Sequence, residues 1–185
     1  MKTEQQYFEE STTMQDYMDE MSQLKEQSFA IYNSFEYPKE DAFIEQLKNA
    51  NVHILAITED WCGDAMINNP IIRKIAEAAN VEVRTALRDA DTDLIDRYLT
   101  NGGRAIPMYL ILNAAGEVIT TWGPRAPQLQ QLVMDLRATL PDKEDPSFEE
   151  AQKAIYESMR KQYVEDAKLW EYVYESFKEK VAPVL

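Results

Sequence analysis

The stretch Thr58-Glu59-Asp60-Trp61-Cys62-Gly63-Asp64-Ala65 contains the one cysteine in 185 residues, and it lies where a strand hands over to a helix. Upstream, His53-Ile54-Leu55-Ala56-Ile57-Thr58 is an apolar run of strand length. Downstream, Met66, Ile67, Ile71, Ile72 and Ile75 recur at helical spacing as far as Ala79. A thiol in the first turn of a helix faces unpaired backbone N–H groups and the positive end of the helix dipole. That setting lowers a cysteine pKa from about 8.5 to between roughly 3.5 and 7.5. The plainer alternative is that Cys62 is a small buried hydrophobe, as many free cysteines are.

Moving outward, Pro70 falls inside the helix after Cys62. Arg104-Ala105-Ile106-Pro107 enters an apolar strand, Met108-Tyr109-Leu110-Ile111-Leu112, and Gly123 closes the strand after that. Together with Trp61-Cys62-Gly63-Asp64-Ala65, these landmarks resemble the thioredoxin superfamily over about residues 50 to 140. The motif is similar to the family's Trp-Cys-Gly-x-Cys, with Ala65 in place of the second cysteine. Pro107 resembles the family's cis proline. The resemblance implies an α/β, thioredoxin-like fold: a four-stranded mixed sheet with flanking helices.

The remaining sequence fits that order. A helix through 63–79 leads to a strand at 81–87 and a helix opened by Asp91, running through Leu94, Ile95, Tyr98 and Leu99 and closed by Gly102-Gly103. Strand 108–113 turns back through Ala114-Ala115-Gly116-Glu117 into strand 118–122, a hairpin. Pro127 opens the last core helix, whose apolar face is Leu129, Leu132, Val133 and Leu136. Strands joined by a helix should run parallel, and the hairpin pair antiparallel.

Two additions flank the core, giving a division into 1–49, 50–140 and 141–185. Residues 1–10 read as frayed. From a Thr12 cap, Tyr17, Met21, Leu24, Ser28, Ile31 and Phe35 predict one helix ending near Tyr37-Pro38. A short helix spans 39–49, and no counterpart of an extra N-terminal strand is evident. Past the hinge Pro141-Asp142-Lys143-Glu144-Asp145-Pro146, apolar residues from Phe148 to Val181 predict one helix of about 30 residues with an aromatic seam. The simplest partner for this seam is the N-terminal helix, in a clamp beside the core. A protein partner or a dimer is the alternative.

With 19 basic and 33 acidic residues the net charge is −14, which argues against nucleic acid or an anionic membrane as partner. No apolar run reaches the roughly 18 residues of a membrane span, and the polar, acidic start does not read as a signal peptide. One unpaired cysteine suits a reducing compartment, here taken as the cytoplasm. One cysteine and one histidine are too few for an ordinary zinc site, and no cofactor is expected.

In the family the first thiolate attacks a substrate disulfide and the second resolves the mixed disulfide. Ala65 removes that second step, and Ala56 stands where the family's buried carboxylate is expected. The resemblance therefore implies a monothiol exchange protein with Cys62 as nucleophile. Trp61, Gly63, Asp64, Arg104, Ile106 and Pro107 would line the substrate groove, and a protein disulfide or a low-molecular-weight thiol would be the partner. A binding protein without turnover, or a redox sensor, remains open. Glu59, Asp60 and Asp64 oppose the helix dipole, so the expected pKa of Cys62 is only mildly lowered. Arg104 either serves an anionic group near the thiol or pairs with a neighbouring acid. His53 lies at the far end of its strand, too remote to act as a base.

Overall fold

The computed structural model describes all 185 residues. Helix α1 (Glu4–Glu10) leads through the two-residue strand β1 (Thr12–Thr13) to α2 (Met14–Asp19), α3 (Lys25–Ser34) and α4 (Ala42–Asn49). Strand β2 (His53–Thr58), helix α5 (Gly63–Ala78), strand β3 (Val83–Leu87) and helix α6 (Thr92–Ile95) follow. The hairpin β4 (Met108–Leu112) and β5 (Val118–Trp122) precedes α7 (Pro127–Arg137), α8 (Phe148–Glu165) and α9 (Ala167–Val181).

The sheet has five strands in the order β1-β3-β2-β4-β5. Strands β2 and β3, joined through α5, are parallel, with Ala56 opposite Thr85; β4 and β5 are antiparallel, as expected of a hairpin. The expected four strands are correct for the core, and the fifth is a correction. Thr12 and Thr13 pair antiparallel with Thr85 and Arg84, where a helix cap was expected. Two residues are too few to carry a strand pattern. The cap shifts to Thr13, whose hydroxyl accepts the Asp16 N–H.

Alternation along the strands divides the core between the two faces. Ile54 and Ala56 of β2, with Tyr109 and Ile111 of β4, face the larger core, which takes in α2 to α5 and α7 to α9. Leu55, Ile57, Met108 and Leu110 face a smaller core that includes Tyr7, Phe8, Leu94 and Ile95. Residues 1–10 are therefore not frayed. Thr3 and Gln6 form a capping box, and Tyr7 and Phe8 are buried against the sheet.

Each of the two long helices expected at the chain ends is broken. Between α2 and α3, Leu24 has a positive φ of 56°, and Ser22 is drawn away to Asp60. Between α8 and α9, Asp166 caps the new helix by accepting the Lys168 N–H. The Trp170 indole N–H satisfies the Tyr163 carbonyl at 2.7 Å. The seam keeps most of its large apolar members inward across this break; Tyr163, Val173 and Phe177 are each 0% exposed. It does not pair solely with the N-terminal helices. Helix α9 lies against β5, α5 and α7, while α8 lies against α3, α5 and α7.

Helix α5 crosses the larger core with Pro70 inside it. Proline has no N–H for the carbonyl of Met66, and the buried hydroxyl of Ser28 donates to that oxygen instead at 3.0 Å. A serine in an otherwise apolar stripe thus meets a need created by another helix.

Asp41 ties the C-terminal helix to α4. Its carboxylate accepts the Phe43 N–H as N-cap, the Tyr174 hydroxyl at 2.8 Å and the Lys178 ammonium at 2.8 Å. Burial pushes its pKa up, but Lys178, the Phe43 N–H and Tyr174 outweigh it and hold the group below its ordinary value. We expect Asp41→Ala to lose about 1–2 kcal/mol of stability at neutral pH, which denaturant titration will measure. A depressed folded-state pKa contributes stability above the unfolded value and loses it as pH falls through the folded one. The gap between parent and variant should therefore narrow below about pH 4.

Candidate functional site

Cys62 is the N-cap residue of α5, with φ −81° and ψ 122°, and its carbonyl accepts the Met66 N–H at 3.0 Å. The side chain is 8% exposed, and its S–H donates to the carbonyl of Ile106 at 3.6 Å. The Ile106–Pro107 and Gly123–Pro124 peptides are both cis. Ile106, expected to line the substrate groove, thus already engages the thiol through its carbonyl. Gly123 is forced by close approach: at φ +134°, a Cβ there would lie 2.3 Å from the Pro107 oxygen. The strand-end glycine and the proline turn are pressed together beside the cysteine.

The acids of the motif have separate destinations. Glu59 accepts the Asp89 N–H at 2.9 Å, and Asp60 accepts both donors of Ser22 at 2.9 Å. Asp64, expected at the substrate groove, turns inward instead. It is 6% exposed, with Arg125 at 2.8 Å and the Tyr163 hydroxyl donating at 2.9 Å. A first-turn carboxylate with two buried donors gains more by facing them than by facing water.

The expected mild lowering of the Cys62 pKa is corrected by this arrangement. Burial, and then the Asp64 charge, push the thiol up to about 11. The N–H groups of Ala65 and Asp64, together with Arg125, pull the other way and are outweighed. The dipole argument accounted for the helix end but not for the loss of water around sulfur.

Trp61 is 39% exposed, with the Arg88 guanidinium 5.1 Å from its ring centre. Pro107 is buried. Gly63 lies under α8: a Cβ there would be 3.7 Å from Cγ of Arg160 and 4.0 Å from Cε of Met159. Arg104 makes a two-pronged pair with Asp96, at 2.7 and 3.0 Å, the second of the two roles its sequence allowed. His53, at the other end of β2, contacts Gln5 at 2.6 Å and packs against Phe8. Ala65 is 2% exposed in the same small core as Cys62, and Ala56 is fully buried.

Sequence reasoning missed Arg125 and Tyr163, the partners of Asp64. Tyr163 is 99 residues away in the chain, and no spacing rule joins them. It also missed a buried polar chain in which the Tyr109 hydroxyl donates to Asn69, and Asn69 donates to Thr58. Two adjacent asparagines set between apolar residues of α5 were its one visible sign.

This strand order, with a cysteine capping the helix after the central strand and a proline turn against it, defines a thioredoxin-like protein. The chain belongs to the thioredoxin family, whose model, described as Thioredoxin, matches residues 11–139. No curated protein matches the sequence. Two solved structures are similar in fold. One is the crystal structure of an HIV epitope scaffold, 16% identical with a TM-score of 0.63, covering 95% of each chain. The other is a protein of unknown function from Pseudomonas aeruginosa, 16% identical with a TM-score of 0.59, covering 95% of this chain and 99% of that one. Both likenesses extend beyond residue 139, so the fold they share includes C-terminal helical sequence. No helix is long and apolar enough to cross a membrane.

Proposed function

We propose that the protein works in thiol–disulfide exchange as a monothiol, with Cys62 the attacking sulfur. The observation carrying this reading is the seat of Cys62: it caps α5 with its S–H on the carbonyl of Ile106, the residue before Pro107, while Ala65 lies in the first turn of the helix. The Cys62 thiolate attacks one sulfur of a protein disulfide or a low-molecular-weight disulfide, and the other sulfur leaves as a thiolate. An external thiolate then attacks the substrate sulfur of the mixed disulfide. A new disulfide leaves and the Cys62 thiolate is restored, with no net change in the redox state of the protein. Trp61 and Pro107 border the groove in this reading. Gly63 lies under α8, Asp64 acts from beneath, and Arg104 is already held by Asp96. A reducing compartment such as the cytoplasm suits the single free cysteine.

A thiol at about 11 is mostly protonated at neutral pH, so exchange should speed up about tenfold per pH unit between 7 and 10. Incubation with oxidised glutathione, followed by intact-mass measurement, tests this. The parent should gain one adduct, removable by added thiol, and Cys62→Ser should gain none. A folded parent that takes up no adduct even at pH 10 would overturn the reading.

One observation favours a second reading. A buried thiol that donates to a backbone carbonyl is also what a thioredoxin-fold binding protein without turnover would carry. Its partner would then meet the Trp61 and Pro107 groove rather than the terminal helices, whose apolar seams are packed on the core.

A further inference from the structure

We propose that Asp64 and Arg125 are positioning residues for Cys62: a buried charge pair at the start of α5 whose carboxylate and guanidinium act in opposite senses on the reactivity of its thiol. Tyr163 keeps that carboxylate turned inward. The inference rests on the reading of Cys62 as the working thiol.

Asp64 lies in the first turn of α5, two residues after Cys62, where backbone N–H groups would otherwise favour a thiolate. At 6% exposure its charge is little screened by water, and Arg125 meets it at 2.8 Å. Arg125 spends another nitrogen on Gln130, and its Nε is buried without a partner, so this cation is held for the carboxylate rather than for solvent. The other charged or titratable neighbours leave the pair dominant. Tyr17 of α2 and Tyr109 of β4 are buried phenols held neutral well above their ordinary value by desolvation. Glu59 and Asp60 are committed to Asp89 and Ser22. Arg160 of α8 lies over Gly63. Tyr163 also belongs to α8, so the seating of the C-terminal helix reaches the Asp64 carboxylate through one hydrogen bond.

The test is the rate of Cys62 alkylation by iodoacetamide from pH 7 to 11, read by intact mass on the full chain. Asp64→Asn keeps the shape and the acceptor for Tyr163 but removes the charge. Its midpoint should fall by about one unit, making alkylation at pH 8 about tenfold faster. Arg125→Gln leaves the carboxylate unopposed and should raise the midpoint, slowing alkylation several-fold at pH 8. Arg125→Lys should stay within about twofold of the parent.

A merely structural pair predicts a different pattern, in which Arg125→Gln loosens the site and speeds alkylation just as Asp64→Asn does. That outcome, or changes below about twofold in both, would overturn the proposal. If Arg125→Gln does not fold, the Asp64→Asn profile decides: a charge effect moves its midpoint down, whereas a loosened site speeds alkylation at every pH with the midpoint unmoved. Alkylation needs no disulfide. A parent that forms no glutathione adduct would sink the exchange reading and leave this result standing.

Discussion

Gly123→Ala should cost about 3 kcal/mol or more of folding stability and open the site around Cys62 at the same time. Gly123 sits at φ +134°, a conformation L residues rarely adopt, and a methyl there would meet the Pro107 carbonyl oxygen at 2.3 Å and Met108 Cα at 3.3 Å. Both are backbone atoms, so no side-chain rotation can relieve the contact. The relief open to the chain is to part the end of β5 from the Ile106–Pro107 turn. That turn supplies the carbonyl that Cys62 donates to, and Ile106 is part of the small core around the sulfur. Two measurements follow: the urea midpoint should drop sharply, and Cys62 in the still-folded fraction should react faster with iodoacetamide than in the parent. A variant within about 1 kcal/mol of the parent would mean that the strand end and the turn are not held together as described.

The same glycine shows where the sequence could be read and where it could not. Gly123, Pro107, Pro70 and Cys62 were recognisable because each acts through its own residue type: a backbone conformation, a ring or a sulfur. Their spacing placed the sheet and the start of α5 before any contact was known. The apolar stripes of the terminal segments were legible for the same reason, since burial leaves a periodic trace. The breaks at Leu24 and Asp166 left none. Leu24 is not a residue that favours positive φ, and the bend there accompanies the contact between Ser22 and Asp60, 38 residues apart. The environment of Asp64 was hidden more deeply. An acid beside a helix start reads as a solvated, dipole-stabilised group, and only the folded chain brings Arg125 and Tyr163 to it. The sign of the Cys62 pKa shift turned first on burial, which is no property of the motif, and then on the Asp64 charge.

Ala65→Cys should turn the monothiol site into a dithiol one. Position 65 is one turn along α5 from Cys62, 2% exposed, in the same small core as the thiol. Residues three apart at a helix start lie within the Cα separation a disulfide needs, about 4.4–6.8 Å. Mild oxidant should therefore produce a protein lighter by two hydrogens, and Cys62→Ser in the same background should prevent it. With the second sulfur present, a mixed disulfide at Cys62 can be resolved internally. The introduced thiolate attacks the Cys62 sulfur, the substrate sulfur leaves reduced, and a dithiol reductant resets the pair. Turnover should be measurable but small at neutral pH. With the parent thiol near 11, the reactive form is on the order of one part in ten thousand at pH 7. Activity should rise as pH approaches 10. A folded variant that forms no internal disulfide would mean that the Cys62 sulfur cannot turn toward the first turn of α5, and the binding reading would then lead. Adding Asp64→Asn supplies an internal check. If the thiolate fraction limits both reactions, it should raise dithiol turnover by the same factor by which it speeds alkylation.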